Sequence, residues 1–114
     1  MAHYQDTEAW KRSMRIARLV YQLTESFPKS QQYSLSDQMQ RAAVSIMSNI
    51  AEGWRRTHKE WKNFMRISFG SAAELESQLL LAQSLHLGGS ELYPLIFEEL
   101  DHVSRILNYF TSQP

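Results

Sequence analysis

Of all segments in the chain, the one from Gln38 to Gly53 limits the possible folds most, because it has the pattern of a helix with two different faces. Small and branched apolar residues recur at helical spacing along one face. Polar residues about one turn apart form a stripe along another face: Arg41, Ser45, Asn49 and Glu52. Arginine, amide and carboxylate groups beside alanines indicate either a buried polar network between closely packed helices or a functional site.

The same helical spacing recurs along the rest of the chain, and no segment has the alternating pattern of a strand. We therefore predict an all-α fold, an antiparallel up-down-up-down four-helix bundle, with residues 1–114 as a single domain. The predicted helices cover about residues 8–26, 35–55, 58–86 and 91–111.

Short polar and glycine signals set the predicted ends of these helices. The residues expected to cap helix starts are Asp6 or Thr7, Ser34 with Asp37, Thr57 with Glu60, and Ser90. The residues expected to end helices are Pro28, Gly53, and Gly88 with Gly89. Between the first two helices we expect a loop from Pro28 to Tyr33.

The third predicted helix has more apolar surface than one set of neighbours can cover. A heptad-like repeat runs along one side of it from Trp61 to Leu85, and a further apolar face includes Phe69, Ala73, Leu80 and Leu87. A helix with two apolar faces needs two sets of neighbours, which favours self-association of the chain.

The polar stripe of the second helix is expected to face the third helix. If the two helices are antiparallel about a turn near residues 54–57, Arg41 lies level with Ala72 and within reach of Ser71 and Glu74. We predict a buried ion pair between Arg41 and Glu74 with Ser45 nearby, and a close backbone approach at Gly70. The residues assigned to this structural polar network are Arg41, Ser45, Asn49, Glu52, Ser71 and Glu74.

The composition offers little for catalysis. The chain has no cysteine, and its four glycines form no phosphate-binding motif. One Glu99-x-x-His102 pair resembles half of a di-iron site, but the second copy that such a site needs is missing, so we interpret it as an ordinary solvated pair. We predict no enzymatic activity, no cofactor and no metal.

The location of the protein is predicted from what its sequence lacks. The first ten residues have neither the basic start nor the apolar run of a signal peptide. No apolar stretch approaches the roughly 20 residues that cross a bilayer. We expect a cytoplasmic protein without a membrane partner.

The net charge of zero conceals an uneven distribution. Residues 1–69 contain 11 Lys and Arg against 6 Asp and Glu, whereas residues 70–114 contain 1 Arg against 6 acidic residues. Five cations lie around the second inter-helix turn, with Trp54 and Trp61 among them: Arg55, Arg56, Lys59, Lys62 and Arg66. A supporting row lies on the first helix at Lys11, Arg15 and Arg18.

Two interpretations of these cations stay open at this point. Basic residues interleaved with aromatic residues are typical of surfaces that bind RNA or DNA. Alternatively, the basic patch serves subunit contacts with the acidic part of another copy, or contacts with a protein partner, and binds no nucleic acid. The overall neutrality of the chain favours the second interpretation, since dedicated nucleic-acid binders are usually basic.

A family resemblance adds to these interpretations. The resemblance rests on three parts of the sequence. They are Phe27-Pro28, the segment from Ser45 to Gly53 with Ser-Ile followed by Asn-Ile-Ala-Glu-Gly, and the later Gly70-Ser71 with Glu74-Leu75. These residues resemble the four-helix bundle protein family, which includes proteins encoded in intervening sequences of bacterial large-subunit ribosomal RNA genes. More distantly, they resemble the accessory variability determinant proteins of diversity-generating retroelements.

The resemblance implies a bacterial, non-enzymatic bundle that assembles as a ring-like homopentamer. It also implies, through the accessory proteins, a positively charged surface that binds nucleic acid. The intervening-sequence members have no settled function. The expected subunit number of five comes from this resemblance alone.

Overall fold

The computed structural model describes residues 3–114, except for the side chains of residues 31–33. A short 3-10 turn at Tyr4–Asp6 leads into four long helices, which we label α1 (Glu8–Glu25), α2 (Asp37–Trp54), α3 (His58–Ser84) and α4 (Leu92–Ser112). The part of the chain that is described contains no strand. The predicted all-α four-helix fold is therefore confirmed.

The four helices form an antiparallel bundle in which each packs against two others. α1 and α3 both contact α2 and α4, so α1 and α3 lie at opposite corners of the bundle. Contacts between α2 and α3 run in opposite directions along the two helices, from Ser45 with Ser71 to Gly53 beside Phe64. Between α1 and α4, Arg12 meets Glu99, and Gly88, just before α4, lies beside Leu23 near the end of α1, so these two helices are antiparallel as well.

Two of the predicted caps form. The Thr7 hydroxyl accepts a hydrogen bond from the Trp10 amide at 3.2 Å and caps α1. At the start of α3, the Thr57 hydroxyl accepts from the Glu60 amide and the Glu60 carboxylate accepts from the Thr57 amide, each at 3.4 Å. This reciprocal capping box satisfies two amides that the first turn of a helix leaves without partners.

The other two predicted caps are wrong, as is the loop that preceded one of them. Neither Ser36, before α2, nor Glu91, before α4, donates or accepts a side-chain capping bond, and Ser34 and Ser90 lie outside these positions. Helical structure instead resumes at Lys29, directly after Pro28, and a π-helical turn at Gln32–Ser36 runs into α2. Proline is well placed before a first turn because it has no amide hydrogen to leave unpaired, and residues 29–36 contain no glycine or proline to interrupt the helix.

The third helix ends two residues before the predicted end. The Leu87 amide donates to the Ala82 carbonyl and the His86 amide to the Gln83 carbonyl, at 3.1 and 3.0 Å. His86 has a left-handed backbone with φ of 57°. These features define a Schellman motif, which ends a helix while satisfying its last carbonyls.

A buried tyrosine anchors the connection that follows the Schellman motif. The Tyr93 hydroxyl donates to the Leu87 carbonyl at 2.7 Å, and burial raises the pKa of this phenol. Gly88, with φ of 71°, packs against Leu23 and Phe27 at the end of α1. The connection from α3 to α4 is therefore held to the bundle by side-chain packing and one buried hydrogen bond.

The core is apolar and continuous along the bundle. Every long helix contributes fully buried side chains at helical spacing, among them Ile16, Val20 and Leu23 from α1, Met39, Ile46 and Ile50 from α2, Met65, Leu75 and Leu79 from α3, and Ile96, Leu100 and Leu107 from α4. Burial of such side chains contributes about 1.5–3 kcal/mol each before the entropy cost of ordering is subtracted.

Candidate functional site

Part of the polar stripe on α2 forms the predicted network with α3. The hydroxyl oxygens of Ser45 and Ser71 lie 2.8 Å apart, and the Asn49 amide donates to the Ser45 carbonyl and hydroxyl at 2.8 and 3.0 Å. Ser68 adds a bond that the sequence analysis did not assign to this network, donating to the Ile46 carbonyl at 2.8 Å. The Ser45–Ser71 and Ser68–Ile46 bonds therefore join the two helices, and Asn49 supports Ser45 from the same helix.

The predicted buried ion pair between Arg41 and Glu74 is wrong. Arg41 pairs instead with Asp37, one turn earlier on α2, at 3.0 Å, and 79% of its side chain is exposed. Glu74 is exposed as well. Each residue turns an α-helix by about 100°, so Arg41 points outward because the next residue, Ala42, is the one buried in the bundle.

Glu52 also lies outside the network to which the sequence analysis assigned it. Its carboxylate pairs with Arg56 at 2.9 Å on the surface, where both side chains are about half exposed. Exposed pairs of this kind contribute little to stability.

The five cations around the turn between α2 and α3 form one surface, which we call the basic turn: Arg55, Arg56, Lys59, Lys62 and Arg66. Arg56 is neutralised by two carboxylates, Glu52 at 2.9 Å and Glu60 at 3.6 Å. Hydrogen bonding from Thr57, helped by the Arg56 charge, lowers the pKa of Glu60 and keeps it ionised. The other four cations of the basic turn have no carboxylate partner within the described residues.

Three of these four cations contact neutral groups instead. The Arg55 guanidinium lies 5.8 Å from the centre of the Tyr4 ring. The Lys62 ammonium donates to the Gln113 carbonyl, and Arg66 donates to the Asn63 side chain at 3.2 Å. Because these contacts leave the positive charge uncompensated, the basic turn keeps a surplus of charge that an anion could use.

The tryptophans of the basic turn belong mainly to the bundle. Trp61 packs against Trp54 and Phe110 with ring centres 6.2 and 5.1 Å apart, and His58 stacks on it at 5.6 Å. Both tryptophans are half-buried. The two tryptophans do lie among the cations, as predicted, but their rings pack mainly against each other and against neighbouring aromatic rings.

The supporting basic row lies along α1. Lys11, Arg15 and Arg18 line an open groove of about 780 Å³ between α1 and α2, which we call the α1–α2 groove. Its floor and walls are mostly apolar, from Met14, Ala17, Leu19, Tyr21, Val44 and Met47.

The outer surface of α3 carries exposed apolar residues in regular order. Ile67 and Leu81 lie on one side of the helix with Glu74 midway between them, seven residues from each. Leu85, the first residue after α3, follows on the same side, and the three apolar side chains are 50–52% exposed. We call these four residues the α3 stripe. The further apolar face predicted on α3 is a different set of residues: Ala73 and Leu80 are exposed, Phe69 is half-buried, and Leu87, beyond the helix, is buried. The stripe was not predicted from the sequence.

Glu99 is a residue whose role the sequence analysis misjudged. It is not a solvated partner of His102 but a buried carboxylate, 8% exposed, which lies 3.2 Å from Arg12 and 3.8 Å from Arg15 on α1. The signal was present in the sequence, because Glu99 is three residues after buried Ile96 and four before buried Val103. A carboxylate at that position must face a neighbouring helix.

Two properties of the described residues concern metal binding and membrane insertion. No group of three or more His, Asp or Glu side chains within residues 3–114 is arranged to hold a metal ion. No helix in that part of the chain is long and apolar enough to cross a membrane.

Comparison with known proteins gives the chain its family. Among curated proteins, no match was found. In solved structures, the chain is similar to a protein of unknown function from the S23 ribosomal protein family of Bacteroides thetaiotaomicron, with a TM-score of 0.80 and 21% sequence identity. The match covers 92% of this chain and 96% of that one, and at this identity it supports the fold alone.

The sequence profile of a named family matches nearly the whole chain. It is the profile of the 23S rRNA-intervening sequence protein family, and it covers residues 5–109. The resemblance found from the sequence is thereby confirmed, and this chain belongs to the 23S rRNA-intervening sequence protein family.

Proposed function

We propose that this chain is a non-enzymatic, cytoplasmic interaction scaffold that assembles with copies of itself and binds RNA or DNA through the basic turn. The α3 stripe carries the proposal of assembly. Three aliphatic side chains about half exposed on one side of a long helix leave apolar surface in water, and a partner surface would bury it.

Assembly is tested by measuring the mass of the purified chain. Light scattering on a sizing column is expected to give a multiple of the 13.3 kDa chain mass, and the family resemblance sets the expectation at five chains. The melting temperature should rise with protein concentration, because association stabilises the folded state by mass action. A single-chain mass across the concentration range would overturn the proposed assembly.

Nucleic-acid binding is supported by the uncompensated charge of the basic turn. Arg55, Lys59, Lys62 and Arg66 have no carboxylate partner among the residues described, so phosphates would meet cations that are not already neutralised. Phosphate contacts of this kind release counterions and make affinity fall steeply with salt.

The binding experiment uses fluorescence anisotropy with labelled structured RNA and labelled single-stranded DNA across a salt series. The variant K59A/K62A/R66A should lose most of the affinity and flatten the salt slope by about 0.7–0.9 per lost phosphate contact. The matched control is K29A/R105A, set beside the double variant K59A/R66A; each removes two charges from exposed positions.

Two results of this experiment would contradict nucleic-acid binding at the basic turn. Equal losses in K59A/R66A and K29A/R105A would show only a general effect of net charge. If neither nucleic acid bound at low salt, the basic turn would instead be assigned to contacts with protein surfaces, the second function that the sequence left open.

A further inference from the structure

We infer that the α1–α2 groove of one copy receives the α3 stripe of another copy. This inference rests on the proposed self-assembly and specifies which two surfaces meet. The groove and the stripe lie on different helices of the same chain, so every copy carries both halves of the contact.

The groove is suited to an apolar helix that carries negative charge. Its lining includes three cations, Lys11, Arg15 and Arg18, and no carboxylate. A smaller hollow of about 350 Å³ continues from it, sharing Tyr21 and Val44 and adding Arg41 to the border. Arg41 is paired there only with Asp37, in an exposed pair that competes weakly for its charge.

The stripe has the complementary chemistry. Its four residues follow one another at steps of seven, seven and four, a spacing that keeps them on one side of the helix, with the apolar side chains on either side of Glu74. Glu74 contributes a carboxylate at the middle of the stripe, and no residue of the stripe is a cation. Glu74 has no ion-pair partner in the described residues, so its charge is free to meet the cations of the groove.

Charge also selects between the three ways in which two copies could pair these surfaces. Stripe against stripe would bring two Glu74 carboxylates together, and groove against groove would bring two rows of cations together. Like charges across an interface are unfavourable, whereas stripe against groove joins opposite charges over apolar surface. The cross pairing is therefore the arrangement that these surfaces favour.

The test uses one substitution in each surface. Val44→Glu places a carboxylate in the groove, and Leu81→Glu places one in the stripe; the two positions are 37% and 50% exposed, so the fold should be unaffected. Leu95→Glu and Leu80→Glu, at 41% and 53% exposure outside both surfaces, are the matched controls. Circular dichroism and melting temperature verify that all four variants are folded.

The expected result has two parts. V44E and L81E should each have the mass of one chain by light scattering, while the two controls keep the mass of the wild type. A mixture of V44E with L81E should form a pair of two chains, because the intact stripe of the first fits the intact groove of the second. The groove of V44E and the stripe of L81E each carry a new carboxylate, so these two surfaces should not bind each other.

Contradicting results separate the two proposals. If the wild type assembles and V44E still assembles like it, the groove is not the receiving surface and only this inference fails. The same holds if the mixture of V44E and L81E stays monomeric. If the wild type itself is a single chain at all concentrations, the proposed assembly fails as well.

Discussion

Glu99 and Glu74 are carboxylates of the same type in opposite surroundings. Glu99 lies in the contact between α1 and α4, where Arg12 donates to both of its oxygens at 3.2 and 3.3 Å. Glu74 lies on the outside of α3. The stabilising carboxylate of this bundle is therefore Glu99, whereas Glu74 is available for contacts outside the chain.

Replacing these two residues should have unequal effects on stability. Glu99→Ala is expected to lower the free energy of unfolding by about 1.5–3 kcal/mol, since it removes hydrogen bonds between charged groups and leaves Arg12 with only the exposed Glu8 as a partner. Glu74→Ala should change it by less than about 0.5 kcal/mol. Urea denaturation of dilute protein measures both, and a larger loss for Glu74→Ala would restore the predicted buried pair.

Gly53 and Gly70 differ in the space around their α-carbons. A Cβ atom at Gly53 would lie 2.8 Å from the Phe64 Cβ and 2.9 Å from the end of the Met65 side chain. A Cβ atom at Gly70 would meet nothing within 4 Å. The close approach of α2 and α3 therefore depends on Gly53, which had been predicted as a helix cap, and not on Gly70.

Alanine at each glycine tests this assignment. Gly53→Ala should destabilise the fold by roughly 1–3 kcal/mol, because the added methyl group overpacks a contact that has little room to move. Gly70→Ala should stabilise it by about 0.5–1 kcal/mol, the ordinary gain from replacing an exposed glycine inside a helix. Thermal unfolding of the two variants beside the wild type gives both signs, and a loss at Gly70 would contradict its open surroundings.

At the scale of the helix, the end of α3 contains a residue in an unfavourable backbone conformation. His86 occupies the left-handed position of the Schellman motif, where glycine is the usual residue. His86→Gly should therefore raise the free energy of unfolding by about 0.5–1 kcal/mol, less than the 1–2 kcal/mol strain because glycine gains entropy in the unfolded chain. Gly88→Ala, which introduces the same strain in the same connection, should lower stability in a parallel melt.

The start of α3 should respond to acid. Because the folded state holds the pKa of Glu60 below its ordinary value, the ionised carboxylate stabilises the capping box above that value, and the contribution is lost as pH falls through the lowered pKa. Glu60→Gln keeps the hydrogen bond of the box but removes the charge. The melting temperature of the wild type should exceed that of Glu60→Gln at neutral pH, and the difference should vanish as the pH falls through the lowered pKa of Glu60; a constant difference would contradict the role of the charge.

For the whole molecule, helical periodicity was sufficient to predict four helices, and the facing of Ser45 with Ser71 followed from an antiparallel register. The outward direction of Arg41 could not be predicted in this way, because neighbouring residues of a helix point about 100° apart and a shift of one residue exchanges a buried position for an exposed one. The helical turn at Gln32–Ser36 had no capping signal to predict it. The pairing of the groove with the stripe depends on which helices are neighbours, which a single sequence does not specify.

The aromatic cluster has a practical consequence for every experiment above, because all three tryptophans lie at the same end of the bundle. Trp54 and Trp61 pack together beside the basic turn, and Trp10 packs against Tyr4, whose ring lies under Arg55. Intrinsic fluorescence therefore reports on this end, whereas loosening of the Lys29–Ser36 end would leave the emission unchanged. A ligand that binds at the basic turn should change the tryptophan emission, so its binding can be followed without a label on the protein.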